Sequence, residues 1–190
     1  MALAAQVPVT NIQVGDKFLM GNLNTMLGAC DEHYYNTALD PQFDPIYPDL
    51  QPGGYNSSGC GIYQPLRVIA IAYAWNEASF SDKYIHRQCL EFLKLGQQGV
   101  TVVTGSGDRG PADQLGYCID PATGNATVEE GHFSSVFPAS CPWVTTVGGT
   151  QLQNTDNSTW SQGTPFPPET AMNENITNSG GGFSRLFPAP

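Results

Sequence analysis

Gly99-Val-Thr-Val-Val-Thr-Gly-Ser-Gly-Asp-Arg-Gly110 is the stretch on which the fold turns. Val100, Val102, Val103 and Thr104 read as a buried strand, with no room for a helix before the glycines begin. Gly105, Gly107 and Gly110 then let the backbone turn sharply and leave space around one carboxyl, that of Asp108. In open α/β sheets ligands sit outside the carboxyl ends of the strands, where such a turn lies. Gly105–Gly110 also matches the G-x-G-x-x-G dinucleotide fingerprint. That fingerprint needs a helix to start at once, so that a pyrophosphate meets its N-terminus. Pro111 follows instead, then Gly116, Cys118, Pro121 and Gly124, which is loop chemistry and speaks against a nucleotide.

Upstream, Arg67–Ala74 is nearly continuous apolar, as in a strand covered on both faces. Ser81 reads as the N-cap of a helix through about Gln97. Ile85, Cys89, Phe92 and Gly96 share one face of it, with Lys83, Arg87, Glu91 and Lys94 elsewhere. Strand, helix and strand make one βαβ unit, expected to cross right-handed. Trp143–Gly148 reads as a further strand. Toward the N-terminus, Val7–Val14 reads as a strand and Asp16–Ala29 as a weak helix interrupted by Gly21 and Gly28. Residues 40–65 and 151–182 read as loops. The pattern predicts an α/β fold, a parallel sheet with flanking helices, with residues 1–190 as a single domain.

At 190 residues the chain can bury a real core. Seven basic against seventeen acidic residues give a net charge of −10, which argues against nucleic acid or an anionic membrane as partner. Only 13% of residues are charged, while 21 glycines and 15 prolines suit long loops between buried strands. Cys30, Cys60, Cys89, Cys118 and Cys141 show no C-x-x-C spacing, so no zinc site is expected. Together with sequons at Asn56, Asn125, Asn157 and Asn175, they favour the secretory route. Cys118 and Cys141 flank one loop region and are the first pair expected to bridge; sequence leaves the connectivity open. Met1-Ala-Leu-Ala-Ala-Gln-Val-Pro8 has no signal-peptide pattern, and no segment reaches membrane-spanning length. A secretory chain starting this way is expected to belong to a longer precursor.

Three blocks carry a resemblance. Ser106–Gly110, then Phe137-Pro-Ala-Ser-Cys-Pro-Trp-Val-Thr-Thr-Val-Gly-Gly-Thr150, then Ser179-Gly-Gly-Gly-Phe-Ser184 with Phe187-Pro188 resemble the sedolisin family. These are the serine-carboxyl peptidases, which include tripeptidyl peptidases. Looser similarity at Asp44–Asp49, at Arg87–Glu91 and in the first residues extends it over nearly the whole chain. The resemblance implies the subtilisin-like version of the parallel sheet, incomplete in this chain. It also implies peptide or protein substrates and an extracellular or lysosome-like acidic compartment.

Such enzymes use a Ser nucleophile, a Glu base, an Asp behind the Glu, and a second Asp at the oxyanion hole. The last role maps onto Asp108, which must be protonated to donate. Arg109, where Ser is usual, is a departure, since a neighbouring cation opposes a protonated carboxyl. The family's Ser-Gly-Thr-Ser nucleophile motif has no counterpart here. Ser106 fails the G-x-S-x-G pattern because residue 104 is Thr, and Ser179 and Ser184 read as structural. Asn36 and Asp40 imitate the family's Glu-x-x-x-Asp pair, but Pro41 would break that helix. Met1–Thr10 moreover resembles the segment that directly follows the true pair, so Asp40 is expected in a loop.

Tyr73, Ala74 and Trp75 fall at the end of the strand that would pair with substrate backbone, with Trp143 a further aromatic candidate. Ala72 and Ala74 depart from the small polar or glycine residues usual there. His33, His86 and His132 lie far apart, and Asp44, Asp49 and Asp120 lack EF-hand spacing. No cofactor is expected within the chain, while calcium is expected in the full-length family domain. The competing reading is a non-catalytic remnant of such a peptidase or a peptide-binding module.

Overall fold

The computed structural model describes residues 6–12, 21–36, 39–44, 50, 52, 59–112, 117–120, 122–123, 125–152, 169–174 and 176–189. In chain order the elements are α1 (Gly21–Cys30), β1 (Val68–Ile71), β2 (Trp75–Asn76), α2 (Asp82–Gln97), β3 (Thr101–Gly105), β4 (Cys118–Ile119), β5 (Ala126–Thr127), β6 (Val136–Phe137), β7 (Thr145–Val147), β8 (Thr150–Leu152) and β9 (Glu169–Ala171). Short 3-10 turns occupy Tyr34–Asn36 and Glu77–Ser79.

β1, β3 and β7 form the parallel sheet, in the order β1-β3-β7 with β3 at the centre. Val68 pairs with Thr101 and Ile71 with Thr104; Val103 pairs with Thr145 and Gly105 with Val147. The expected β-α-β order is therefore present. The Ser81 hydroxyl accepts the Tyr84 N–H at 3.1 Å and starts α2, and Asp82 and Lys94 complement its dipole. At the far end Gly99, at φ 80°, takes the left-handed conformation a helix stop requires. Its N–H donates to the Gly96 carbonyl, and that of Val100 to Leu95, which turns the chain straight into β3.

The buried face of α2 is wider than the apolar spacing implied. Ile85, Cys89 and Phe92 are covered as expected, and so are Tyr84, Gln88, Arg87 and Glu91, whereas Gly96 is exposed. The buried Glu91 carboxylate is compensated by Lys94 Nζ at 2.8 Å. Phe80 stacks on Tyr84, and Phe80 and Phe92 both meet the ring of Phe137, forming the centre of the core. β1 alternates between exposed and half-buried positions rather than lying covered on both faces, because among the described elements α2 packs against the sheet from one side.

Three further expectations are corrected. Residues 7–12 form no strand and are exposed; an alternating pattern becomes a strand only where a neighbour completes its ladder. The 151–182 stretch is not all loop, since β8 and β9 pair as an antiparallel hairpin. The disulfide is Cys89–Cys141, joining α2 to the segment after Phe137-Pro138, and Cys118 remains a thiol in β4. Flanking a common loop in sequence did not bring Cys118 to Cys141; the packing of α2 brought Cys89.

Contacts divide the chain into two units, Met1–Gln64 and Pro65–Pro190. In the first, α1 buries Leu23, Met26 and Leu27, and Tyr34 Oη donates to Asn24 Oδ1 at 2.8 Å. Gly28 leaves room for the Tyr34 ring, 3.3 Å from where a Cβ would stand. Burial pushes the Cys30 thiol up. Among the described residues no helix is long and apolar enough to cross a membrane.

Candidate functional site

Asp108 emerges from the carboxyl end of β3 on the turn that the glycines predict, with its side chain exposed. Gly107 and Gly110 both hold positive φ, 98° and 66°, so the turn depends on their lack of a side chain. What holds it is the third motif block. The Asn178 N–H donates to the Asp108 carbonyl at 2.8 Å, and that of Gly180 to the Gly107 carbonyl at 3.0 Å. The Gly110 N–H returns a bond to Asn178, and Gly181 donates to Gly110. The Ser106 hydroxyl accepts a second bond from the Gly180 N–H at 3.0 Å. The backbones touch: a Cβ on Gly180 would lie 1.7 Å from the Ser106 carbonyl oxygen.

The second block closes the arrangement. β6 pairs with β2 so that Phe137 lies opposite Trp75, and the Ser106 N–H donates to Val147 in β7. The three blocks flank a small open hollow of about 70 Å³ lined by Ser106, Ser140, Thr146 and Gly181 among others.

Glu77, which no sequence pattern singled out, ties the blocks together. It is 1% exposed. Its carboxylate accepts from the Ser135 hydroxyl at 3.2 Å, the Ser184 hydroxyl at 2.7 Å and the Arg185 N–H at 2.9 Å. The Arg185 guanidinium lies 4.0 Å away and also pairs with Asp82 at 2.7 Å. A buried carboxylate persists only with such compensation. Its signal was an acidic residue inside Tyr73-Ala-Trp-Asn-Glu-Ala-Ser-Phe80, and its partners lie about 60 and 110 residues on, beyond any local pattern.

The other candidates divide by place. Because Ile71 is opposite Thr104, residues 72–75 run beyond the same end of the sheet as Asp108. Tyr73 is 37% exposed there, Ala74 is half-buried, and Trp75 is committed to the pair with Phe137. Trp143 precedes β7, toward the amino end of that strand, and is not brought to Asp108. Asp40 sits in a turn, its carbonyl accepting from Phe43 and Asp44, as Pro41 demanded. No helix follows Gly110 among the described residues. His33 pairs with Glu32, His86 packs edge-on against Phe187, and His132 bridges Ile119.

Among the described residues no three His, Cys, Asp or Glu side chains gather where a metal could be held. Of the sequons, Asn56, Asn157 and Asn175 fall outside the described residues, while Asn125 is exposed immediately before β5, opposite Asp120.

No protein-family model matches the chain. Over 213 aligned residues it is 42% identical to tripeptidyl-peptidase SED1 of Arthroderma otae, across 100% of this chain and 30% of that protein. It is 38% identical to aorsin of Aspergillus oryzae, across 90% of this chain and 26% of aorsin. It is 39% identical to tripeptidyl-peptidase 1 of Canis lupus familiaris, across 65% of this chain and 18% of that protein. Among solved structures, a Pseudomonas sedolisin, described as a serine-carboxyl proteinase complexed with two molecules of pseudo-iodotyrostatin, matches 65% of this chain and 32% of its own. The TM-score is 0.48 and the identity 28%. The chain thus spans 30% or less of the length of these curated relatives. Identity of this order, with the three motif blocks meeting in one place, defines a fold of the serine-carboxyl peptidase class. The chain belongs to the sedolisin family.

Proposed function

We propose that the chain supplies the oxyanion-stabilising part of a serine-type peptidase that acts on peptides and proteins at acidic pH. The observation that carries this reading is the Asp108 carboxyl, exposed at the carboxyl end of β3 on a turn laced to Asn178–Gly181 by main-chain hydrogen bonds. Attack on a peptide carbonyl builds negative charge on its oxygen, and a donor already in place there lowers the barrier. A carboxyl donates only when protonated, which acid favours. Ala72–Ala74, beyond the same sheet end, offer backbone to an extended substrate.

The nucleophile and the Glu–Asp pair implied by the resemblance have no counterpart among the 190 residues, so the chain's own part is to place the donor and line the substrate. An extracellular or lysosome-like acidic compartment, reached through the secretory route, accords with the Cys89–Cys141 bridge, which forms under oxidising conditions.

The test is a graft. This chain replaces the matching segment of the Arthroderma peptidase, and release of tripeptides is followed at acidic pH. Asp108→Ala is expected to lower turnover by about 10²–10³; a near-normal rate sinks the role. Arg109, in the place where Ser is usual, favours a second reading, a peptide-binding module without turnover. Saturable peptide binding with no cleavage at any pH would select it.

A further inference from the structure

A larger hollow, of about 520 Å³, lies beside the Glu77 network. Glu77 and Ser135 form its buried side, and Phe133 and Phe183 line it while remaining 70% and 79% exposed. Two large rings left that open around one concavity mark a surface that something covers. Asn125 lines the same hollow.

The turn that carries Asn125 is well tied. Asp120 donates its N–H to the Asn125 carbonyl at 2.9 Å, and the Asn125 N–H reaches the Thr123 hydroxyl at 3.3 Å. The Asp120 carboxyl accepts from the Ala122 N–H at 2.8 Å and from the Thr123 hydroxyl at 2.9 Å, which hold it below its ordinary range. The backbone of Asn125 is thereby placed by the hairpin while its side chain stays on the exposed side. Asn125-Ala-Thr127 has the N-x-Thr form that the secretory pathway modifies, with no proline at the middle position.

We propose that Asn125 carries an N-linked glycan whose first sugars lie in this hollow against Phe133 and Phe183. The attachment forms a bond from the Asn125 amide nitrogen to C1 of an N-acetylglucosamine. The C1–oxygen bond to a lipid-linked pyrophosphate donor breaks, the pyrophosphate leaves, and the amide gives up one proton. A pyranose presents a flat C–H face edged by hydroxyls. The C–H face suits an aromatic ring, whose face is electron-rich. Asp120, His132 and Arg185, also around the hollow, offer polar partners to the hydroxyls. A tethered sugar uses both kinds of wall.

The test uses the full chain secreted from a eukaryotic host. After trimming with an endoglycosidase that leaves one sugar, peptide mapping is expected to find N-acetylglucosamine on Asn125 and none in Asn125→Gln. An unmodified Asn125 overturns the site. For the docking, Phe133→Ala and Phe183→Ala are each measured with and without Asn125→Gln, as double-mutant cycles. In the glycosylated chain each is expected to lower the thermal midpoint by about 2–4 °C, and by much less in the Asn125→Gln background. Equal losses in both backgrounds overturn the docked glycan. Should an alanine variant fail to be secreted, Phe183→Leu, which keeps bulk and removes the ring, takes its place in the same cycle.

Discussion

α2 and the glycine ribbon at 178–182 belong to the same unit and are held by opposite means. The helix is held by what its side chains bury, with Tyr84, Ile85 and Phe92 at 0% exposure and a cap at each end. The ribbon is at most half-buried, with Gly181 and Gly182 exposed. It is held by main-chain bonds to Ser106–Gly110, at a separation only glycine permits. A helix of that kind fails by losing atoms, whereas the ribbon fails by gaining one.

The largest expected effect falls on the α2 side. Replacing Cys89 and Cys141 with alanine removes a crosslink across 52 residues, between α2 and the block after Phe137. Chain-entropy reasoning puts the loss at about 4 kcal/mol, to be read from denaturant unfolding under non-reducing conditions. Next comes the ribbon alone. Gly180→Ala drives a carbon into the Ser106 carbonyl and is expected to cost about 3 kcal/mol. Gly181→Ala meets nothing within 4 Å and is expected to stay within about 0.5 kcal/mol. Similar losses for the two would show that the ribbon is not held by close approach.

A smaller loss, about 2 kcal/mol, is expected of Glu77→Ala, which strips the acceptor from Ser135, Ser184 and the Arg185 N–H. Hydrogen exchange should rise first in residues 180–186 and leave α2 protected; the reverse order would undo the contrast. The smallest effect belongs to the helix end. Ser81→Ala removes the cap on Tyr84 and is expected to cost about 1 kcal/mol in thermal unfolding.

The same contrast explains what could be read in the sequence. α2, its cap and the strand that follows rest on local periodicity and capping, and they stand where Ser81, Ile85, Phe92 and Gly99 indicate. The place of Asp108 beyond a strand end was legible because a carboxyl framed by glycines there is also a local pattern. Glu77 was not, because its partners Ser135, Ser184 and Arg185 become neighbours only through the fold. Cys89 was missed for a related reason, since which sulfur reaches Cys141 is decided by the packing of α2 and not by spacing along the chain. The burial of Arg87 and Glu91 likewise needed the third dimension. Val7–Val14 erred the other way, where a strand-like pattern is given no partner among the described residues.

The Cys89–Cys141 bridge has a consequence for how the molecule would wear. Between those residues, among the described positions 117–120, 122–123 and 125–135, the regular elements are the short strands β4 and β5, and most of these residues are exposed. Exposed loops of that kind are where proteases cut first. A single cut anywhere between the two cysteines would leave both pieces tied through sulfur, migrating as one band until a reductant is added. For a protein placed among peptidases, damage in that loop would go unseen on a non-reducing gel and need not release either half.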